Sequence, residues 1–188
     1  MSRPLCHPPS ESIELMKKMQ ISCVVNCTDN MANFHEKRGS PGKKRGGSSE
    51  DASASSMASS KTSTASSKKP SSPEHQISYL RFPISFWSRQ VKDTDQSVLD
   101  FLSPLFTFVD AALKSGRSIL VHCLAGAHRA GTTGVLLLMR YSGMNDVEQA
   151  IFAAKKLRRI IDPIGMLPEL LKRYSQARER GVEGEIDV

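Results

Sequence analysis

The sequence of 188 residues lacks any long hydrophobic run. Its longest apolar stretches, residues 118–121 and 135–139, fall far short of the ~20 residues that a membrane-spanning helix needs. Residues 1–10 hold three prolines, a cysteine and a histidine where a secretory signal would have a continuous apolar segment. These absences predict a protein without a membrane span, located in the cytoplasm or the nucleus.

Cysteine is scarce and shows no framework spacing. The four cysteines stand at positions 6, 23, 27 and 123, so we expect free thiols in a reducing compartment and no disulfide framework. Cys23 and Cys27 fall on one face of a predicted strand, where a cysteine is usually a small buried hydrophobe.

Acidic residues are too few to balance the basic ones, and the formal net charge is +7. This excess favours anionic partners such as phosphorylated proteins, phosphoinositides or nucleic acid. Nucleic-acid binding rests on charge alone, because no basic motif with interleaved aromatic residues supports it. Neither charge nor composition indicates the oligomeric state.

Large apolar residues are almost missing from residues 39–76, which contain 13 serines and four glycines. Such a segment cannot bury enough surface to offset the entropy of ordering the chain. The sequence therefore predicts one domain over residues 1–188, interrupted by a disordered insertion at 39–76.

The rest of the chain alternates between strand and helix patterns. Short apolar runs predict strands at 21–27, 77–82 and 118–122. Helical periodicity predicts helices at 98–113, 129–141 and 147–159 and a last one from Pro168 to before Gly181. Pro104 is expected to kink or restart the first of these helices, and Asn145, with Glu148 three residues later, is expected to cap the third. This order predicts an α/β fold with a mainly parallel central sheet flanked by helices, whose ligands bind beyond the carboxyl ends of the strands.

The residues most suggestive of chemistry lie at a predicted turn from strand to helix. Here Cys123 precedes Arg129 by six residues, and Gly126 permits a tight turn between them. The backbone amides of such a turn and the following helix dipole bind an anion, and the planar guanidinium matches two phosphate oxygens. The residues predicted to bind phosphate are Leu124, Ala125, Gly126, Ala127, His128 and Arg129.

The same positive surroundings favour the thiolate of Cys123, which is the nucleophilic form. Attack on phosphorus would give a phosphocysteine intermediate that water then hydrolyses, a route that needs no metal or other cofactor. We expect His122 to support the loop and tune the thiol, and His128 to line the rim. A P-loop for nucleotides is rejected, because Thr132 stands where its lysine would be.

The stretch His-Cys-Leu-Ala-Gly-Ala-His-Arg resembles the signature of the protein tyrosine phosphatase superfamily, in particular its dual-specificity branch. Residues 23–28, 77–83, 116–121 and 158–165 resemble further elements of that branch in the same order, so the likeness covers roughly residues 10–178. The resemblance implies a protein tyrosine phosphatase-like fold and hydrolysis of phosphotyrosine, with phosphoserine and phosphothreonine, in protein substrates.

The resemblance also implies an aspartate about thirty residues before the cysteine that protonates the leaving oxygen and then activates water. Asp93 lies at that distance; Asp95 competes with it, and Asp100 falls within the helical pattern. One departure is Ala130, where the family usually has a hydroxyl that assists the second step, so Thr132 or Thr133 would have to substitute. Two alternatives stay open: a phosphoinositide phosphatase, and a weakly catalytic module that binds phosphopeptides.

Overall fold

The computed structural model describes residues 12–36 and 76–181, both belonging to one compact unit. The three predicted strands form as β1 (Ile21–Asn26), β2 (Ser78–Arg81) and β3 (Ser118–His122). They pair in parallel in the order β2-β1-β3, with Asn26 opposite both Arg81 and His122. Because parallel strands end at the same edge, the segments that leave β1 and β3 begin side by side.

Six helices accompany the sheet in the described ranges. They are α1 (Ile13–Lys18), α2 (Trp87–Gln90), which follows a 3₁₀ turn at Ile84–Phe86, α3 (Asp95–Lys114), α4 (Arg129–Ser142), α5 (Val147–Leu157) and α6 (Leu167–Glu179). Helix α1 contacts β1, α3 and α4 contact β3, and α6 packs against α3, α4 and α5.

The sheet separates two apolar clusters, because successive side chains of a strand point to opposite faces. Val24 packs with Met16 of α1 on one face, whereas Val25 and Cys27 belong to the larger cluster formed with α3, α4 and α6. The predicted fold class, a parallel sheet flanked by helices, is confirmed. Residues 39–75 of the predicted insertion lie outside the described ranges, so that prediction and the single-domain prediction stand untested.

Of two local predictions about helices, one is excluded in part and the other is wrong. Pro104 does not restart a helix, because α3 is continuous from Asp95 to Lys114, and the predicted kink at Pro104 stays a prediction. The cap of α5 is Asp146, whose carboxylate accepts from the Gln149 amide at 2.8 Å, because that amide lies three residues beyond Asp146. The side-chain oxygen of Asn145 has no partner among the described residues.

Candidate active site

Residues 123–129, here called the Cys–Arg loop, connect the carboxyl end of β3 to the first residue of α4. The loop curls around the sulfur of Cys123: the Gly126 amide donates to Sγ at 3.2 Å, and Gly126 adopts a φ of 72°. This left-handed conformation favours glycine. Cys123 itself is 7% exposed.

His122 ends β3 and is buried. Burial is the main cause that lowers its pKa; a backbone hydrogen bond involving Cys123 opposes the shift, and the charge of Arg81 adds to it. The ring is therefore neutral at neutral pH. Its predicted support of the loop and its predicted tuning of the thiol both stay predictions.

Arg129 starts α4 with its side chain 28% exposed, so the guanidinium is accessible to a ligand. Its Nη1 lies 4.0 Å from Oδ2 of Asp29, which follows the end of β1 by three residues. Sequence reasoning missed Asp29. The available signal was its position just beyond a strand that was predicted to lie in the same sheet as β3.

Cys27 lies beneath the site and is fully buried. Burial is the largest cause that raises the pKa of its thiol to about 12, and the neighbouring Cys123 acts in the same direction, while Thr133 and Arg129 oppose the shift. The prediction that Cys23 and Cys27 are buried is confirmed. Cys27 is neutral over the physiological pH range and therefore a poor nucleophile.

The two threonines proposed to replace the missing hydroxyl at Ala130 are both fully buried. Thr132 Oγ1 donates to the His128 carbonyl at 2.7 Å, and Thr133 Oγ1 donates to the Arg129 carbonyl at 3.0 Å. Thr133 Oγ1 also lies 3.2 Å from Cys27 Sγ. Since the hydroxyl hydrogens go to carbonyls one turn back, neither is directed at Cys123 in this conformation.

The two aspartates that compete for the role of general acid, Asp93 and Asp95, and the nearby helical residue Asp100 lie apart from these contacts. Asp93 is fully exposed, with Oδ1 3.8 Å from Arg173 Nη1. Asp95 begins α3 and accepts two contacts of 2.9 Å from Arg180 Nη1, and Asp100 accepts from Gln96. Within the part of the chain that the structure describes, none of the three is hydrogen-bonded or ion-paired to the Cys–Arg loop.

The segment after α5 braces the loop from outside. His128 Nδ1 donates to the Asp162 carbonyl at 2.6 Å, and the Asp162 amide donates to the Ala127 carbonyl at 3.1 Å. A Cβ built on Gly126 would lie 3.0 Å from Arg158 Nη2. Arg158, which directly follows α5, thus places a second guanidinium against the loop.

In residues 12–36 and 76–181, no group of three or more His, Cys, Asp or Glu side chains is placed to hold a metal ion. None of the helices in those ranges is both long and apolar enough to cross a membrane.

Comparison with known proteins identifies the family. The family model described as "Dual specificity phosphatase, catalytic domain" matches residues 57–176. Human dual specificity protein phosphatase 9 is 27% identical over 140 residues, which make up 73% of this chain and 25% of that protein. Arabidopsis thaliana dual specificity protein phosphatase 1B is 33% identical over 66 residues, 34% of this chain and 40% of that protein. The chain thus spans a quarter to two fifths of these relatives.

The crystal structure of human DUSP28 superposes with a TM-score of 0.55 at 18% identity, covering 92% of this chain and 89% of that one. This likeness supports the fold, and the family match covers more than half of the residues. The predicted resemblance is confirmed: the chain belongs to the family of dual specificity phosphatase catalytic domains.

Proposed function

We propose that this chain is a metal-independent protein phosphatase that hydrolyses phosphotyrosine, and also phosphoserine and phosphothreonine. The observation that carries the proposal is the loop wrapped around Cys123, with the Gly126 amide 3.2 Å from the sulfur and Arg129 at its other end. Such an arrangement favours a thiolate and binds a phosphate dianion in the same place.

In the proposed reaction the Cys123 thiolate attacks phosphorus, so that a sulfur–phosphorus bond forms as the ester oxygen leaves. Arg129 and the amides of residues 124–129 hold the three nonbridging oxygens. Asp93 gives a proton to the leaving oxygen and then takes one from the water that releases inorganic phosphate. In the described conformation Asp93 faces solvent, so the segment between α2 and α3 must move for this step.

Two observations support testing the alternatives, a phosphoinositide phosphatase and a weakly catalytic phosphopeptide-binding module, beside the proposed function. Arg158 brings positive charge to the loop, and extra positive charge at the pocket favours the phosphates of an inositol lipid. Ala130 and the exposed Asp93 are what a weakly catalytic phosphopeptide-binding module would show.

A cytoplasmic location, with a nuclear one as the alternative, agrees with the free thiols of Cys23, Cys27 and Cys123.

The test measures phosphate release in the presence of a metal chelator. The substrates are an aryl phosphate, phosphotyrosine and phosphothreonine peptides, and a phosphoinositide in mixed micelles. We expect Cys123→Ser and Arg129→Ala each to lower kcat/KM by at least ~10³-fold. Matched controls are Cys23→Ser, another buried thiol, and Arg89→Ala, an exposed arginine; both should retain activity.

Each outcome decides between the candidates. Peptide hydrolysis that is lost in both variants supports the proposed function, whereas preferential release from the phosphoinositide would replace it with lipid hydrolysis. Phosphopeptide binding without any hydrolysis by the native chain would replace it with the binding module.

A further inference from the structure

The turn that follows β1, residues 27–31, is held by hydrogen bonds from two side chains outside it, Asn26 and Arg81. The fully buried Asn26 accepts, through Oδ1, from the Thr28 amide at 3.0 Å and from Thr28 Oγ1 at 2.6 Å. Its Nδ2 donates to the Met31 carbonyl at 3.1 Å. One buried side chain therefore ties both ends of the turn together.

Arg81, at the end of β2, binds the same turn from the neighbouring strand. Its Nη1 donates to the Thr28 carbonyl at 2.9 Å, and its Nη2 donates to the Met31 carbonyl at 2.7 Å. Both carbonyls are thereby satisfied without any contribution from the side chain of Asp29, which lies between them. The turn needs the backbone of Asp29 but not its carboxylate.

The sheet directs this turn toward the Cys–Arg loop. Strand β1 is the direct neighbour of β3, and the pairing continues past the strand ends, where the Cys27 amide donates to the His122 carbonyl at 2.8 Å. At this edge Asp29 Oδ2 lies 4.0 Å from Arg129 Nη1. Among the described residues, Asp29 has the one carboxylate that is ion-paired with a side chain of the loop.

The contact at Nη1 has a consequence for phosphate binding. A guanidinium presents two parallel N–H donors to an anion through one edge. Nη1 lies 4.0 Å from Asp29 Oδ2, and the edge formed by Nε and Nη2 has no hydrogen bond or ion pair with any described residue, so this edge remains for phosphate oxygens. An arginine side chain restrained in this way loses less conformational freedom on binding.

We propose that Asp29 is a positioning residue that holds Arg129 ready for the phosphate. The inference rests on the proposed function, since it assigns Asp29 to the same site. Asp29 would act through Arg129 without touching the reacting atoms. The rigid turn supplies the fixed anchor that such a role needs, because a mobile carboxylate would restrain the guanidinium no better than water does.

The direction in which Asp29→Asn changes the affinity for an anion separates a positioning role from a purely electrostatic one. Removing a negative charge next to an anion site tightens anion binding if charge alone matters. If Asp29 positions Arg129, Asp29→Asn instead weakens binding, by about 10-fold on the pattern of outer residues that orient a ligand-binding group. Asp100→Asn, on the exposed face of α3, is the matched control for the change of net charge.

The experiment measures tungstate binding by titration calorimetry, because this oxyanion occupies a phosphate site without turnover. It compares the native chain with Asp29→Asn, Asp29→Glu and Asp100→Asn, and repeats Asp29→Asn in an Arg129→Ala background. We expect Asp29→Asn to weaken binding about 10-fold, Asp29→Glu to restore it in part, and the effect of Asp29→Asn to vanish without Arg129. Thermal unfolding of each variant verifies that it is folded.

Tungstate binding by Asp29→Asn that equals or exceeds that of Asp100→Asn would overturn the inference, as would an effect that persists in the Arg129→Ala background. Asp29→Glu decides the matter if Asp29→Asn does not fold, because it keeps the charge and moves it by one methylene. Tungstate binding that follows the expected pattern in a chain without phosphatase activity would support the inference while refuting the proposed function.

Discussion

Asp93 must change its surroundings if it is to act on the substrate, because its carboxylate is exposed and 3.8 Å from Arg173. A general acid matters most when the leaving group is a poor one, since an acidic phenol departs without a proton. We therefore expect Asp93→Asn to lower kcat for a phosphothreonine peptide by about 10²–10⁴-fold. Its effect on a nitrophenyl phosphate should be much smaller.

Steady-state kinetics on the two substrates verify this, with Asp100→Asn as the control on the neighbouring helix. If Asp95→Asn shows the leaving-group dependence and Asp93→Asn does not, the register chosen for the acid is wrong. Asp95 would then have to leave its two contacts with Arg180.

The sequence predicts the residues of the Cys–Arg loop because they are contiguous, so their spacing alone reports their geometry. Asp29 was missed: its position just beyond β1 was a signal, but its contact with Arg129 depends on the pairing of β1 with β3, across about half the chain. The register of Asp93 also stayed open. Its segment is placed by Arg173 of α6, whose guanidinium binds the Lys92 carbonyl, and no local pattern reports that contact.

At the scale of the elements, periodicity predicts each strand to within about a residue and the helices of the core in the right order. The short helices α1 and α2 were not predicted, and the other errors fall at helix ends, where one side-chain hydrogen bond decides. Thr94 accepts from the Ser97 amide at 3.2 Å and starts α3 at Asp95, three residues before the apolar pattern begins. Such a bond depends on rotamers that spacing does not specify.

Helix α4 offers a matched pair of glycines one turn apart. A Cβ on Gly134 meets nothing within 4 Å, whereas a Cβ on Gly131 lies 3.2 Å from Ile161 Cγ2. Alanine is the better helix former, so Gly134→Ala should raise the free energy of unfolding by about 0.5–1 kcal/mol. Its catalytic activity should match that of the native chain.

Gly131→Ala gains the same helix propensity but must push Ile161 away. Ile161 precedes Asp162, whose backbone holds Ala127 and His128, so the displacement reaches the Cys–Arg loop. We expect a smaller or negative change in stability together with weaker tungstate binding. Urea unfolding and calorimetry on both variants measure this, and equal behaviour of the two would show that the segment after α5 does not brace the loop.

At the scale of the whole molecule, two weak acids make folding sensitive to alkaline pH: the fully buried thiol of Cys27 and the partly buried phenol of Tyr141. Burial is the largest cause that raises the pKa of Cys27 to about 12, and burial, followed by the hydrogen bond to Asp110, raises the pKa of Tyr141 to about 12. In the unfolded chain a thiol titrates near ~8.5 and a phenol near ~10. Between these values and about 12, the folded protein therefore binds more protons than the unfolded chain.

Because the folded-state pKa values are raised, the stability they contribute is fully present below pH ~8.5 and is lost as the pH rises toward about 12. Urea unfolding between pH 7.5 and 11 should show a free energy of unfolding that falls with pH, more steeply once both groups titrate in the unfolded chain. Tyr141→Phe removes one of them and should make the slope above pH ~10 shallower. An unchanged slope in that variant would mean that the phenol of Tyr141 ionises as readily in the folded protein as in the unfolded chain, and that its bond to Asp110 does not hold the proton in place.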